Sequence, residues 1–326
     1  MLLRIFKGNY LFNYILFPLV SVLIISGTLL NSSGQSIALP ITSSPLGVLL
    51  SGITIHTTAS VLINLLVVWL ISLLLFHINA RFSMVKDVSF LPSYLFLFIV
   101  FAIPDFHYLQ PILPSALFIA FSFRSIFLSL EKTNMTPNIF DASFFIGVAS
   151  LFYFFASVLI LAIPLGILVM HKKINWKNLS ATLLGLILPW GLLYVILFLS
   201  DHTLELNKLT LQFVAHENSL MAKNIALYLY LGFILILTLI SSFFILKQYD
   251  EKNINTRRYF KVLFIFFVAS LVLLPLPAVA GEIIVLATLP LTFLITNYLT
   301  YMKRRTWAEM FFTVLIIFSI ILQFVY

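Results

Sequence analysis

ASFFIGVASLFYFFASVLILAIPLGILVM, residues 142–170, runs for 29 positions without a Lys, Arg, Asp, Glu or His. As one helix it would measure about 43 Å at 1.5 Å per residue, long for a hydrocarbon layer about 30 Å thick. It is short for two full crossings, each of which takes about 20 residues. Basic residues on either side decide between the two. If the stretch crosses once, every later loop inverts, and seven of the 19 Lys and Arg fall on the cytoplasmic side against eleven outside. If it enters and returns, sixteen are cytoplasmic, two lie in outer connections and one, Arg124, sits inside a span. Cytoplasmic loops are enriched in Lys and Arg, so the sequence predicts two short helices, about 142–154 and 156–170, folded as a hairpin. Backbone at the bend must be buried in protein or line a wet cavity, because lipid satisfies no N–H or C=O. Pro164 and Gly166 suit a kinked second arm.

Composition agrees with lipid as the main solvent. Hydrophobic residues make up 62% of the 326, charged residues 9%, and the mean hydropathy is +1.11; a soluble domain carries roughly 25% charged residues. The net charge of +8 sits in short clusters beside apolar runs, the pattern of loop topology, and implies no nucleic-acid partner. The absence of Cys excludes disulfides, thiolate metal sites and cysteine nucleophiles. The 34 Phe serve lipid-facing and helix-packing surfaces.

The chain therefore reads as an all-α, polytopic transmembrane helical bundle of about ten or eleven membrane elements, one integral membrane domain over 1–326. A first, uncleaved span at about 10–30 follows Arg4 and Lys7. An outer connection at 31–55 holds no charged residue, and a second span covers about 57–79. Spans at about 89–104 and 112–130 form a hairpin around Pro104, Asp105, Phe106, His107 and Tyr108. Beyond the 142–170 hairpin come spans at about 179–200, 224–246, 262–279, 283–301 and 307–325. The longest outer loop, 201–223, has the leucine spacing of an interfacial amphipathic helix and offers a surface for a protein partner. This topology leaves the N-terminus cytoplasmic and the C-terminus on the outer, periplasmic side.

Candidate chemistry is sparse. Asp105 and His107 pair a carboxylate with an imidazole in an outer turn, the residue types of acid–base work. Arg124 is the one basic residue inside a span. Its planar fork suits a lipid phosphate, and a position near the span's inner end also suits snorkelling. Asn64 and Asn297 are polar within spans and either bond a neighbouring helix or line a substrate path. His202 and His216, with Asp201, Glu205 and Glu217, make loop 201–223 rich in titratable groups that face substrate, solvent or partner. The histidine spacing lacks the forms that hold a metal, and no cofactor is implied. His56 and His77 read as interfacial, Glu282 as a solvated hairpin tip, and Gly147 as a close-packing position.

Asn138 to Phe154 (NIFDASFFIGVASLFYF), Trp176-Lys177-Asn178, Leu184-Gly185-Leu186-Ile187-Leu188-Pro189 and the opening Arg4-Ile5-Phe6-Lys7-Gly8-Asn9-Tyr10 resemble a bacterial family of polytopic inner-membrane proteins built on a domain of unknown function. Some members carry a carotene-cleaving oxygenase label, and such enzymes need convergent histidines, whereas these are scattered over both faces. More distantly, 139–170 is similar to the short helical pair of GT-C-type glycosyltransferases and polymerases. That resemblance implies chemistry on the outer face with polyprenyl-phosphate-linked substrates. The acidic residue those enzymes carry in the first outer loop is missing, since 31–55 contains no Asp or Glu; Asp105 substitutes for it only if the second outer turn folds over the same cavity.

Three functional expectations follow. In the first, the chain acts in assembly of an envelope glycan or lipid, with Asp105 and His107 doing acid–base work and Arg124 holding a phosphate. The second is a transporter or lipid flippase with a midplane cavity lined by Asn64, Arg124 and Asn297. The third is a non-catalytic scaffold subunit that docks a partner on 201–223. Membrane lipids are partners in all three.

Overall fold

The computed structural model describes residues 3, 6, 11–31, 44–47, 50, 57–85, 88–129, 131, 132, 134–171, 175–200, 225–247, 253–273, 281–302 and 304–325. Among them are eleven α-helices of ten residues or more and two 3₁₀ segments. The α-helices are α1 (Leu11–Asn31), α2 (Thr57–Phe82), α3 (Leu91–Val100), α4 (Ile112–Ser129), α5 (Thr136–Phe152), α6 (Ala162–His171), α7 (Trp176–Leu199), α8 (Ile225–Lys247), α9 (Ile254–Leu271), α10 (Ile283–Tyr301) and α11 (Arg305–Val325). Six of them (α2, α4, α7, α8, α10 and α11) are long and apolar enough to cross a membrane. The chain is a multi-pass helical membrane protein.

The 142–170 stretch doubles back. Thr136 Oγ1 donates to Asn178 Oδ1 at 3.0 Å, near the start of both α5 and α7. Further along, Trp190 Nε1 donates to Ser150 Oγ at 2.8 Å. Residue numbers rise together along the contact, so α5 and α7 are parallel, and the chain between them must return the whole length of α5. It breaks at Tyr153, in extended backbone (φ −142°, ψ 101°), and comes back through a 3₁₀ segment, Phe154–Leu161, and α6. Eight residues at about 2.0 Å and ten at 1.5 Å cover about 31 Å, enough to match the roughly 25 Å of α5. The pairing is close because both helices put glycine at the seam. A Cβ on Gly147 would lie 2.8 Å from the Leu186 carbonyl oxygen, and one on Gly185 would lie 2.7 Å from that of Phe140.

Elsewhere the helices alternate in direction. α1 is antiparallel to α2, with Tyr14 against Phe76 and Ser21 Oγ accepting from Trp69 Nε1 at 2.7 Å. α4 is antiparallel to α5, with Phe121 near Phe145 and Phe118 stacked on Phe152. The alternation gathers the connections with Arg81, Lys132, Lys177, Lys247 and Arg257 at one end, here termed the basic end. Arg81 pairs there with Glu131 at 3.1 Å. α2 stops at that end where Ser83 takes the left-handed conformation (φ 46°), a common helix stop.

Two helices form the centre. Every residue of α3 is buried, and so are nearly all of α10. With no solvent to meet them, the Thr288, Thr292 and Thr296 hydroxyls bond carbonyls of their own helix. α3 differs from the expected span at 89–104. Its ten residues rise only about 15 Å, half of the hydrocarbon thickness. Pro104 disfavours helix at Ile103, which is extended (φ −101°, ψ 113°).

Candidate functional site

Residues 101–111 complete the crossing that α3 leaves half made, with one 3₁₀ turn, Pro104–His107, as their regular structure. Irregular backbone at membrane depth survives only inside protein or against water. Here α2 supplies the partners. Asn64 Nδ2 donates to the carbonyls of Phe106 (2.7 Å) and His107 (2.9 Å). One helical turn away, Ser60 Oγ accepts from the Leu109 N–H at 3.0 Å. Asn64 lies seven residues past Thr57, so the turn is recessed about 10 Å from that end of α2. Gln323 of α11 reaches the Phe101 carbonyl at 3.5 Å, which places the C-terminal part of α11 beside the recess.

His107 is 2% exposed. Its Nε2 faces the Phe101 carbonyl at 2.9 Å and must donate to it, and its ring stands edge-on to Phe101. The lone pair is then on Nδ1, which is buried and has no hydrogen-bond partner among the described residues. In that tautomer the ring presents Nδ1 as a base. Asn64 Oδ1 is a second buried acceptor without a hydrogen-bond partner there. Unpaired buried polar atoms are rare in proteins and call for a reason. Asp105, half-buried in the same turn, is near enough to favour an imidazolium once His107 takes a proton.

The structure thus brings Asn64, Asp105 and His107 together and sets Arg124 apart. Arg124 is exposed on α4, twelve residues past Ile112 and so about 18 Å further toward the basic end. Asn297 is buried in α10. His202, His216 and the whole of 201–223 lie outside the described residues, as does His56. His77 is exposed.

A second polar group was not expected from the sequence. Glu282 is 5% exposed, not a solvated tip. It precedes α10 and lies beside Tyr153, at the break in the 142–170 hairpin. The neighbouring Phe152 carbonyl accepts from Ser44 Oγ, so part of the 31–55 connection covers the bend. The only signal for Glu282 is its isolation, the one acidic residue between Glu251 and Glu309. Among the described residues no three His, Asp or Glu side chains converge as metal ligands would.

The family model described as "Family of unknown function (DUF6427)" matches residues 7–326. No curated protein and no solved structure matches the chain.

Proposed function

We propose that this chain, which belongs to the Family of unknown function (DUF6427), acts in a bacterial inner membrane in assembly of an envelope glycan or lipid, with the recessed turn 104–107 as its reactive element. The buried Nδ1 of His107, without a hydrogen-bond partner among the described residues, carries this reading. A base held beside a carboxylate takes a proton from a substrate hydroxyl, and the carboxylate then stabilises the cation formed. With the basic end in the cytoplasm, the turn lies on the periplasmic side, where a polyprenyl-phosphate-linked substrate of the GT-C type presents its sugar. Arg124, exposed and distant from the turn, is left to lipid phosphates on its own side. The test is deletion of the gene, analysis of the lipid-linked intermediates that accumulate, and complementation with Asp105→Asn and His107→Gln at matched membrane levels. Failure of both variants to clear the intermediate is expected. Full clearance by both would overturn the reading.

One observation favours a second reading, a non-catalytic scaffold subunit: side chains fill the centre of the bundle along α3 and α10. In that case Asp105→Asn and His107→Gln complement fully, and replacing 201–223, the docking loop, does not. A transporter or flippase needs Asn64, Arg124 and Asn297 around one midplane cavity, and the outward face of Arg124 gives that reading no support.

A further inference from the structure

Far from the recessed turn, α8 and α9 both pack on α10 and leave a gap between them. The gap is a groove of about 520 Å3, walled by α8 and α9 and floored by Leu294 of α10. Its α9 wall runs from Arg257 and Lys261 through Phe264 to Leu271, fourteen residue steps or about 21 Å. That is deeper than one leaflet, about half of the 30 Å hydrocarbon layer. The walls face outward: Phe243 is 71% and Phe264 46% exposed. Both cations sit at the basic end, and the surrounding segment, Lys247 to Lys261, holds five cations against two acids, Asp250 and Glu251. It stays positive whatever pairs those acids make.

We infer that this groove binds an anionic phospholipid of the leaflet at the basic end, with its phosphate at Arg257 and Lys261 and an acyl chain between α8 and α9. The charge at the mouth complements a phosphate, and the apolar walls complement a hydrocarbon chain. The volume of about 520 Å3 falls among small-ligand sites. The site is independent of the chemistry assigned to His107, and its test does not depend on activity.

Because the chain has no Cys, single cysteines report position cleanly. Val268→Cys in the groove and Leu192→Cys on the exposed face of α7, each carrying a fluorophore, go into phosphatidylcholine vesicles doped with brominated phosphatidylglycerol or brominated phosphatidylcholine. Preferential quenching of the Val268 probe by the anionic lipid is expected, with the preference falling roughly fivefold for each cation removed in Arg257→Gln and Lys261→Gln. The Leu192 probe shows no such preference. Ser242→Phe fills the groove, keeps both cations, and lowers quenching at Val268 by either lipid. Equal quenching by the two lipids overturns the inference, as does a preference that survives loss of both cations. Erasure of the preference by inorganic phosphate alone also overturns it, since the groove would then be a free-anion site.

Discussion

Asn64 gives both amide hydrogens to the carbonyls of Phe106 and His107, so its removal strands two buried acceptors. Each buried group left unpaired costs about 1–3 kcal/mol. Asn64→Leu is therefore expected to lower the thermal unfolding temperature in detergent more than Ser60→Ala, which strands only the Leu109 N–H. Asn64→Asp should do worse than either, since a carboxylate would then face two carbonyl oxygens. Equal unfolding temperatures for wild type and Asn64→Leu would show that the turn is held by other means. At this scale the sequence is half legible. A lone Asn in an apolar run must find a partner, but the partner is 42 residues away, and no local pattern points to it. Glu282 misleads because a glycine and an acid at a hairpin tip read as solvated; its burial depends on packing around the start of α10 and on Tyr153 from a distant hairpin.

The decisive element is the α5–α7 seam, and it makes a sharper demand than hydrophobicity. Gly185→Ala places a methyl 2.7 Å from both the Phe140 carbonyl oxygen and the Ser143 Cβ, a fixed backbone on one side and a buried side chain on the other. The helices must separate, at about 1–3 kcal/mol for such overpacking. Gly191→Ala on the same helix meets nothing within 4 Å and should be neutral or slightly stabilising, because alanine suits a helix better than glycine. Comparing the monodisperse fraction and unfolding temperature of the two variants isolates the seam from helix propensity. The return of 142–170 was readable from charge, because only a hairpin leaves the later basic loops on one side. Its details were not. α5 begins at Thr136, six residues before the apolar run, because proline in the first turn suits a helix start and polar residues tolerate that end. The returning arm opens as 3₁₀ backbone, a difference in rise that composition does not encode. From the sequence α3 reads as a full span because 89–104 carries no charged residue. Pro104 stops it short, and the apolar residues beyond Val100 are buried by neighbouring helices instead of facing lipid.

For the molecule as a whole, the parallel seam and the alternation of the other helices are properties of the fold, whereas the compartment that each end faces follows from charge. The cations collect where α2, α6, α8 and α10 end and where α5, α7, α9 and α11 begin. On the proposed orientation, with that end cytoplasmic, the turn 104–107 and the Tyr153–Glu282 pair lie toward the periplasm. The cysteine-free chain makes the orientation directly measurable. Asn175 precedes α7 at the basic end, and Ser200 follows it at the other; both are exposed. In intact cells a membrane-impermeant thiol reagent should label Ser200→Cys and leave Asn175→Cys unmodified until the membrane is opened. Labelling of Asn175→Cys alone in intact cells would invert the molecule. Because α5 and α7 are parallel whatever the orientation, that result would leave the fold intact and move the recessed His107 to the cytoplasmic side, where the substrate of the proposed reaction would have to be sought.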